Sequence, residues 1–256
     1  MSLLRVSSLS RSFGGLNAVD NLDLVIEPGP IHSIIGPNGA GKTTLFNLIS
    51  GLYRPTGGNV FFENKDVTGQ PAWKLAGLGL SRTFQNLQIF FNMSAVENVM
   101  VGMHLKCDTR FIPSLLRSRS VVRDDRKNRE RAGELLEFVG LGGYLGAEAS
   151  AMPYGALKRL EIARALAAGP KVMLLDEPAA GLNPAETAAI DDLIREIAAA
   201  GVTVVLVEHD MRLVMGVSDH IFVLERGRLL AEGNGHEIRH NPDVVAAYLG
   251  ESARDR

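Results

Sequence analysis

Residues 31–44 read Ile31-His32-Ser33-Ile34-Ile35-Gly36-Pro37-Asn38-Gly39-Ala40-Gly41-Lys42-Thr43-Thr44, and this order decides the fold. A short β-type run leads into a glycine-rich loop, and a helix-length stretch follows from Lys42 until Gly51 ends it. Gly36 to Thr43 fits G-x-x-x-x-G-K-[ST], and its place between a strand and a helix carries more weight than the string itself. The glycines let backbone N–H groups converge on phosphate oxygens without Cβ clashes, and the helix N-terminus favours an anion. Gly36, Pro37, Asn38, Gly39, Ala40 and Gly41 therefore form a candidate phosphate cradle. Lys42 is placed to bridge the β- and γ-phosphates, Thr43 to offer its hydroxyl to Mg²⁺, and Thr44 to contact the α-phosphate.

Working outward, residues 3–9, 22–26 and 59–62 read as further strands, separated by turn signals such as Glu27-Pro28-Gly29-Pro30. Residues 172–175 and 202–207 are continuous apolar runs, suited to strands buried on both faces. Between them residues 184–200 read as an Ala-rich helix, opening on Pro184 and stopping at Gly201. The alternation predicts an α/β fold with a mainly parallel core sheet, and the phosphate-loop motif makes it a P-loop NTPase fold. The middle of the chain is helix-prone with few β-branched runs, and it reads as a helical subdomain, residues 86–168, inserted into a core of 1–85 and 169–256. Its charged stretch, 117–134, mixes Arg123, Arg126, Lys127, Arg129 and Arg131 with Asp124, Asp125 and Glu130, the pattern of a solvated helix face.

The run 172–175 ends in Asp176 and Glu177. Adjacent carboxylates at the end of a buried strand are costly unless something satisfies them. A metal and a water would: Asp176 holding Mg²⁺ through water, Glu177 orienting and deprotonating the attacking water. The run 202–207 ends in Glu208-His209-Asp210, so the imidazole emerges at the sheet edge where parallel sheets bind ligands. His209 is accordingly a candidate γ-phosphate sensor.

Composition narrows the class. Of 256 residues, 46% are apolar and 22% charged, the balance of a globular protein. A formal net charge of -2 argues against a nucleic-acid binder that relies on a broad basic surface. Cys107 is alone, which excludes a disulfide framework and fits a reducing cytosol. The first residues show no signal-peptide pattern, and the longest apolar runs fall well short of the roughly 20 residues a span needs. Work at a membrane would need a partner to hold the chain there.

These residues, with Met152-Pro153-Tyr154-Gly155-Ala156 and the trailing Arg-Leu-Glu-Ile-Ala-Arg-Ala-Leu of 159–166, resemble the ATP-binding subunits of ABC transporters over essentially the whole chain. The resemblance implies the ABC-ATPase fold, with an antiparallel β subdomain and a helical subdomain carrying the signature loop. It implies that Phe13 stacks on adenine, that Gln85 touches the Mg²⁺ and water cluster, and that His209 is the switch histidine. Asn183 replaces the usual Asp of the D-loop, 180–183. In the signature loop Pro153, Tyr154 and Ala156 replace the common Ser, Gly and Gln, so capping of a neighbouring subunit's nucleotide rests on Tyr154, Gly155 and nearby backbone N–H groups.

Pro153-Tyr154-Gly155 is also common in branched-chain amino acid importers, which the chain resembles again at 82–86, 93–99, 179–184 and 247–251. The larger of their two ATPase subunits is the better match, and a urea or amide importer subunit shares the pattern. The resemblance implies an ATP-hydrolysing motor at the cytoplasmic face of the cell membrane. A second, non-identical ATPase subunit, membrane permeases and, indirectly, a substrate-binding protein would be its partners. Two other readings compete: a soluble ABC ATPase of DNA repair or translation, whose coiled coil or basic extensions are not visible here, and a P-loop kinase, which would lack the signature, Gln85 and His209 motifs.

Overall fold

The computed structural model describes residues 2–104 and 119–252; Cys107 and the start of the charged stretch at 117 lie outside the described residues. The chain divides into two compact units, residues 1–82 with 171–256, and residues 83–170.

In chain order the first unit opens with β1 (Leu4–Phe13), β2 (Leu16–Ile26), β3 (Ile31–Ile35), α1 (Lys42–Ile49), β4 (Gly57–Phe62), β5 (Lys65–Asp66), α2 (Ala72–Leu78) and β6 (Leu80–Arg82). The second unit holds α3 (Ala95–Gly102), α4 (Arg119–Phe138) and α5 (Tyr154–Ala167). The first unit resumes with β7 (Val172–Asp176), α6 (Pro184–Ala199), β8 (Thr203–Val207), α7 (Met211–Val217), β9 (His220–Glu225), β10 (Arg228–Gly233), α8 (Gly235–His240) and α9 (Pro242–Ser252).

Two sheets organise the first unit. The order β2-β1-β4-β5 is antiparallel throughout, and the order β10-β9-β3-β8-β7-β6 is parallel except for the edge strand β10. Every residue of β3, β7 and β8 is buried, His32 and Ser33 of β3 included, as strands covered on both faces require. Ile34 and Asp176 both pair with Val207, so β3, β7 and β8 end level with one another. The sheet thereby brings three loops to one edge.

Two features depart from the sequence reading for local reasons. β1 runs on to Phe13 through register shifts, with Ser8 at φ 49°, and these break the period-two pattern beyond Leu9. The β9–β10 hairpin turns through Arg226 and Gly227, both at positive φ, without the Asn-Gly pair that would flag it. Asn183 is the N-cap of α6: its side chain accepts from Ala185 N and Glu186 N, both at 3.0 Å, while Glu186 returns a bond to its backbone. Asn supplies the same cap oxygen as Asp, so the replacement leaves the helix start intact.

In the second unit Ser94 and Glu97 form a capping box on α3. Asn98, fully buried, accepts from Phe90 N at 3.0 Å and donates to the carbonyls of Phe90 at 3.0 Å and Ser94 at 3.1 Å. This side chain fixes the loop that presents Phe90 and Phe91, both exposed. Asn98→Leu should lower the unfolding free energy by about 3 kcal/mol, because it strands buried backbone groups. Thermal melting checks this, and an unchanged melting temperature would contradict it. At Gly102 an added Cβ would stand 2.1 Å from Arg164 O, so α3 and α5 meet there backbone to backbone. Among the described residues no helix is long and apolar enough to cross a membrane.

Candidate active site

The phosphate loop follows β3 and is held by its neighbours at two glycines. Gly36 (φ 150°) and Gly41 (φ 99°) have backbone conformations that L side chains rarely adopt. A Cβ at Gly36 would lie 2.1 Å from Leu224 O, and one at Gly41 2.3 Å from Ala18 O. Both obstacles are backbone atoms of the sheets, so neither can swing aside. Pro37, Asn38, Gly39 and Ala40 complete the loop. Lys42 is buried, and its Nζ donates to Gly36 O at 2.5 Å and Pro37 O at 3.0 Å. The ammonium thus sits within the cradle, bonded to the type of oxygen a phosphate would present. Gly41, the N-cap of α1, has no side chain to cap it, and the first turn holds no acidic residue, so no fixed anion competes for that helix end. Thr43 is exposed and Thr44 half-buried on the same turn.

Asp176 ends β7, buried at 3% exposure, with Oδ2 2.8 Å from Arg82 Nη2. Arg82, at the end of the adjacent β6, also donates through Nη1 to Asn47 Oδ1 at 2.6 Å and Ser50 Oγ at 2.9 Å. Burial pushes the Arg82 guanidinium below its ordinary pKa, and the Asp176 carboxylate opposes that shift. One cation therefore ties β6 and β7 to the helix of the phosphate loop.

Glu177 follows with φ 49°, a left-handed backbone that costs a non-glycine residue about 1–2 kcal/mol. Its N–H donates to Val207 O at 3.0 Å, which locks the turn to β8. Its Oε1 accepts from His209 Nε2 at 2.7 Å. The neighbouring Glu208 turns inward: buried, it accepts from Ala179 N at 3.0 Å and His209 N at 3.1 Å. Burial raises the Glu208 pKa, those two bonds oppose the rise, and the Glu177 charge adds to it. Glu208 thus joins the segment after β7 to the segment after β8. Asp210 caps α7 through Arg212 N at 2.8 Å.

The structure places Lys42, Asp176, Glu177 and His209 at one edge of the sheet, at or just past the ends of neighbouring strands β3, β7 and β8. Phe13 ends β1 in the same unit, partly exposed, its ring meeting Tyr53 edge-on at 5.6 Å. Gln85, Tyr154 and Gly155 belong to the second unit. Gln85 is exposed in the segment whose Gln88 N–H donates to Glu161 of α5 at 3.3 Å. Glu161 is buried there, and burial raises its pKa. Tyr154 and Gly155 open α5 behind Pro153, and the Lys158 ammonium lies 5.9 Å from the Tyr154 ring centroid.

Among the described residues no cluster of three or more His, Cys, Asp or Glu could hold a metal alone. Mg²⁺ bound with nucleotide phosphates and water needs only one or two protein oxygens, and Asp176 with the Thr43 hydroxyl fits that donor set. Arg82, Glu208 and Glu161 were not singled out in the sequence as site residues. A basic residue closing the short run Leu80-Ser81-Arg82 was the available signal for the first.

The family model described as ABC transporter matches residues 19–180. The high-affinity branched-chain amino acid transport ATP-binding protein BraF of Pseudomonas aeruginosa is 46% identical over 251 residues, covering 98% of each chain. The chain belongs to the ABC transporter family. The ABC transporter likeness extends to LivG of Escherichia coli, a protein with the same description, 45% identical over 98% of each chain. A second model, described as branched-chain amino acid ATP-binding cassette transporter, matches residues 228–254, from β10 through α9. The fold is shared with the ADP conformation of an ATP-binding cassette of an ABC transporter, at TM-score 0.85 and 33% identity, covering 98% of this chain and 99% of that one. A nucleotide-free cassette of an ABC transporter gives TM-score 0.84 and 34% identity, covering 97% and 99%.

Proposed function

We propose that the chain is the ATP-binding and hydrolysing motor subunit of an importer for branched-chain amino acids. The observation that carries the hydrolytic part is the 2.7 Å contact between Glu177 and His209, formed at the sheet edge beside the phosphate loop. Gly36 to Thr44 hold the triphosphate, with Lys42 turning from its loop carbonyls to the β- and γ-phosphates. Glu177 takes the proton of the attacking water. His209, donating from Nε2, fixes the Glu177 carboxylate and senses the γ-phosphate. Mg²⁺, held by Asp176 through water and by Thr43, would neutralise the developing phosphate charge. Phe13 stacks on adenine.

Tyr154, Gly155 and the start of α5 serve the nucleotide of a second ATPase subunit, so the working unit is a dimer. Permease subunits hold that dimer at the cytoplasmic face of the membrane, and a substrate-binding protein delivers cargo to them. The identities of 46% and 45% to branched-chain amino acid transport proteins support the cargo reading.

Disruption of the gene in its host tests both parts. Uptake of labelled leucine, isoleucine and valine should fall and return with the wild-type gene, while urea and acetamide uptake stay unchanged. Loss of urea or amide uptake with leucine unaffected would overturn the cargo and leave the motor.

A further inference from the structure

β1 and the segment after α1 share a stack of charged and aromatic groups, of which only Phe13 has a role above. The Arg11 guanidinium carbon lies 4.6 Å from the Phe13 ring centroid and 5.8 Å from that of Tyr53. Tyr53 meets Phe13 edge-on at an interplanar angle of 73°. Arg11 Nη1 donates to Arg54 O at 2.8 Å, which fixes the guanidinium plane over the ring. Residues 53 and 54 lie shortly after the helix of the phosphate loop, which ends at Ile49, and Tyr53 N donates to Asn47 O of that helix at 3.0 Å.

We propose that Arg11 is a positioning residue for the base of the nucleotide. It holds Phe13 at a set place relative to the phosphate loop and leaves one face of the ring for a purine. The proposal rests on the reading of Phe13 as the adenine contact.

Three physical points carry it. First, Phe13 stands beside the Gly14-Gly15 turn, around which a Cβ at either glycine would meet nothing within 4 Å. The hairpin tip lacks packing of its own, so the hold on the ring comes from Arg11 and Tyr53. Second, a cation on one face of an aromatic ring draws electron density toward itself and leaves the opposite face a better partner for an electron-rich purine. A planar guanidinium does this while hydrogen-bonded at its edge, which an ammonium cannot. Third, Arg11 Nε is buried with no hydrogen-bond partner among the described residues. The unmade donor costs stability rather than adding to it.

The triphosphate and the base of one nucleotide are a fixed covalent distance apart, so cradle and platform must be in register. Arg11 is the strut between them: it reaches from the platform strand to the end of α1, while β2 abuts the loop where Ala18 O faces Gly41.

The test compares equilibrium binding of ATP with that of tripolyphosphate, which has no base, to the purified chain. Arg11→Ala should weaken ATP about fivefold and leave tripolyphosphate unchanged, with Arg11→Lys recovering part of the loss. In a Phe13→Ala background, removing Arg11 should change nothing further. Equal losses for both ligands would mean that Arg11 only supports the fold, and would overturn the proposal. So would tighter ATP binding, which would place Arg11 where the base belongs. ATP weakened by Phe13→Ala but indifferent to Arg11→Ala would overturn the role of Arg11 and leave the adenine reading standing. ATP indifferent to Phe13→Ala would remove both.

Discussion

Glu177→Gln should bind ATP as tightly as the wild type and hydrolyse it about a thousandfold more slowly. The amide has nearly the size of the carboxylate, and its Oε1 can accept from His209 Nε2 as the carboxylate does at 2.7 Å. The Glu177 N–H bond to Val207 O involves no side-chain atom and survives the change. What disappears is the one property the geometry makes useful, a basic oxygen held at the sheet edge beside the phosphate loop. Phosphate release measures the loss, and size-exclusion chromatography should find an ATP-bound dimer accumulating. Turnover near the wild-type rate would remove Glu177 from the mechanism and leave the nucleotide site intact.

Arg82→Ala should cost about 3–5 kcal/mol of stability, because it strands a buried carboxylate. Asp176 is 3% exposed and Arg82 7%, so bulk solvent screens the stranded carboxylate poorly. The same change removes the bonds to Asn47 and Ser50 and frees the phosphate-loop helix from β6. The counterpart is the pair Arg82→Met with Asp176→Leu, which replaces both charges by apolar groups. It should regain most of the stability and none of the turnover, since a buried ion pair is replaceable in folding but the carboxylate proposed to hold Mg²⁺ is not. Urea denaturation with a phosphate-release assay separates the two effects. An unchanged urea midpoint for Arg82→Ala would show that the ion pair does not anchor the site.

The contrast between these two residues explains what was legible in the sequence. The phosphate loop is a local object: Lys42 bonds to carbonyls five and six positions away, and the glycines declare the turn. Asp176 and Glu177 were visible because carboxylates closing a buried apolar run demand a reason. Arg82 meets Asp176 across 94 positions and Asn47 across 35, and no local pattern links them. Glu208 reads as one more acid beside a histidine until the fold turns it inward to the Ala179 N–H. The strand β1 was legible only up to Leu9, where bulges end the alternation, and the hairpin β9–β10 was hidden by its charged turn. The order of the core strands, which sets the three functional loops level, follows from pairings that no single segment encodes.

The left-handed backbone at position 177 sets two kinds of selection against each other. Glycine would adopt the same conformation without a steric penalty, and it has no carboxylate. A laboratory screen that rewards heat resistance is therefore drawn toward glycine at this codon, and its winners would be robust proteins that do no work. Only pressure on transport itself keeps glutamate in place. Thermal resistance is for that reason a misleading guide to improving this subunit at the position proposed to supply its base.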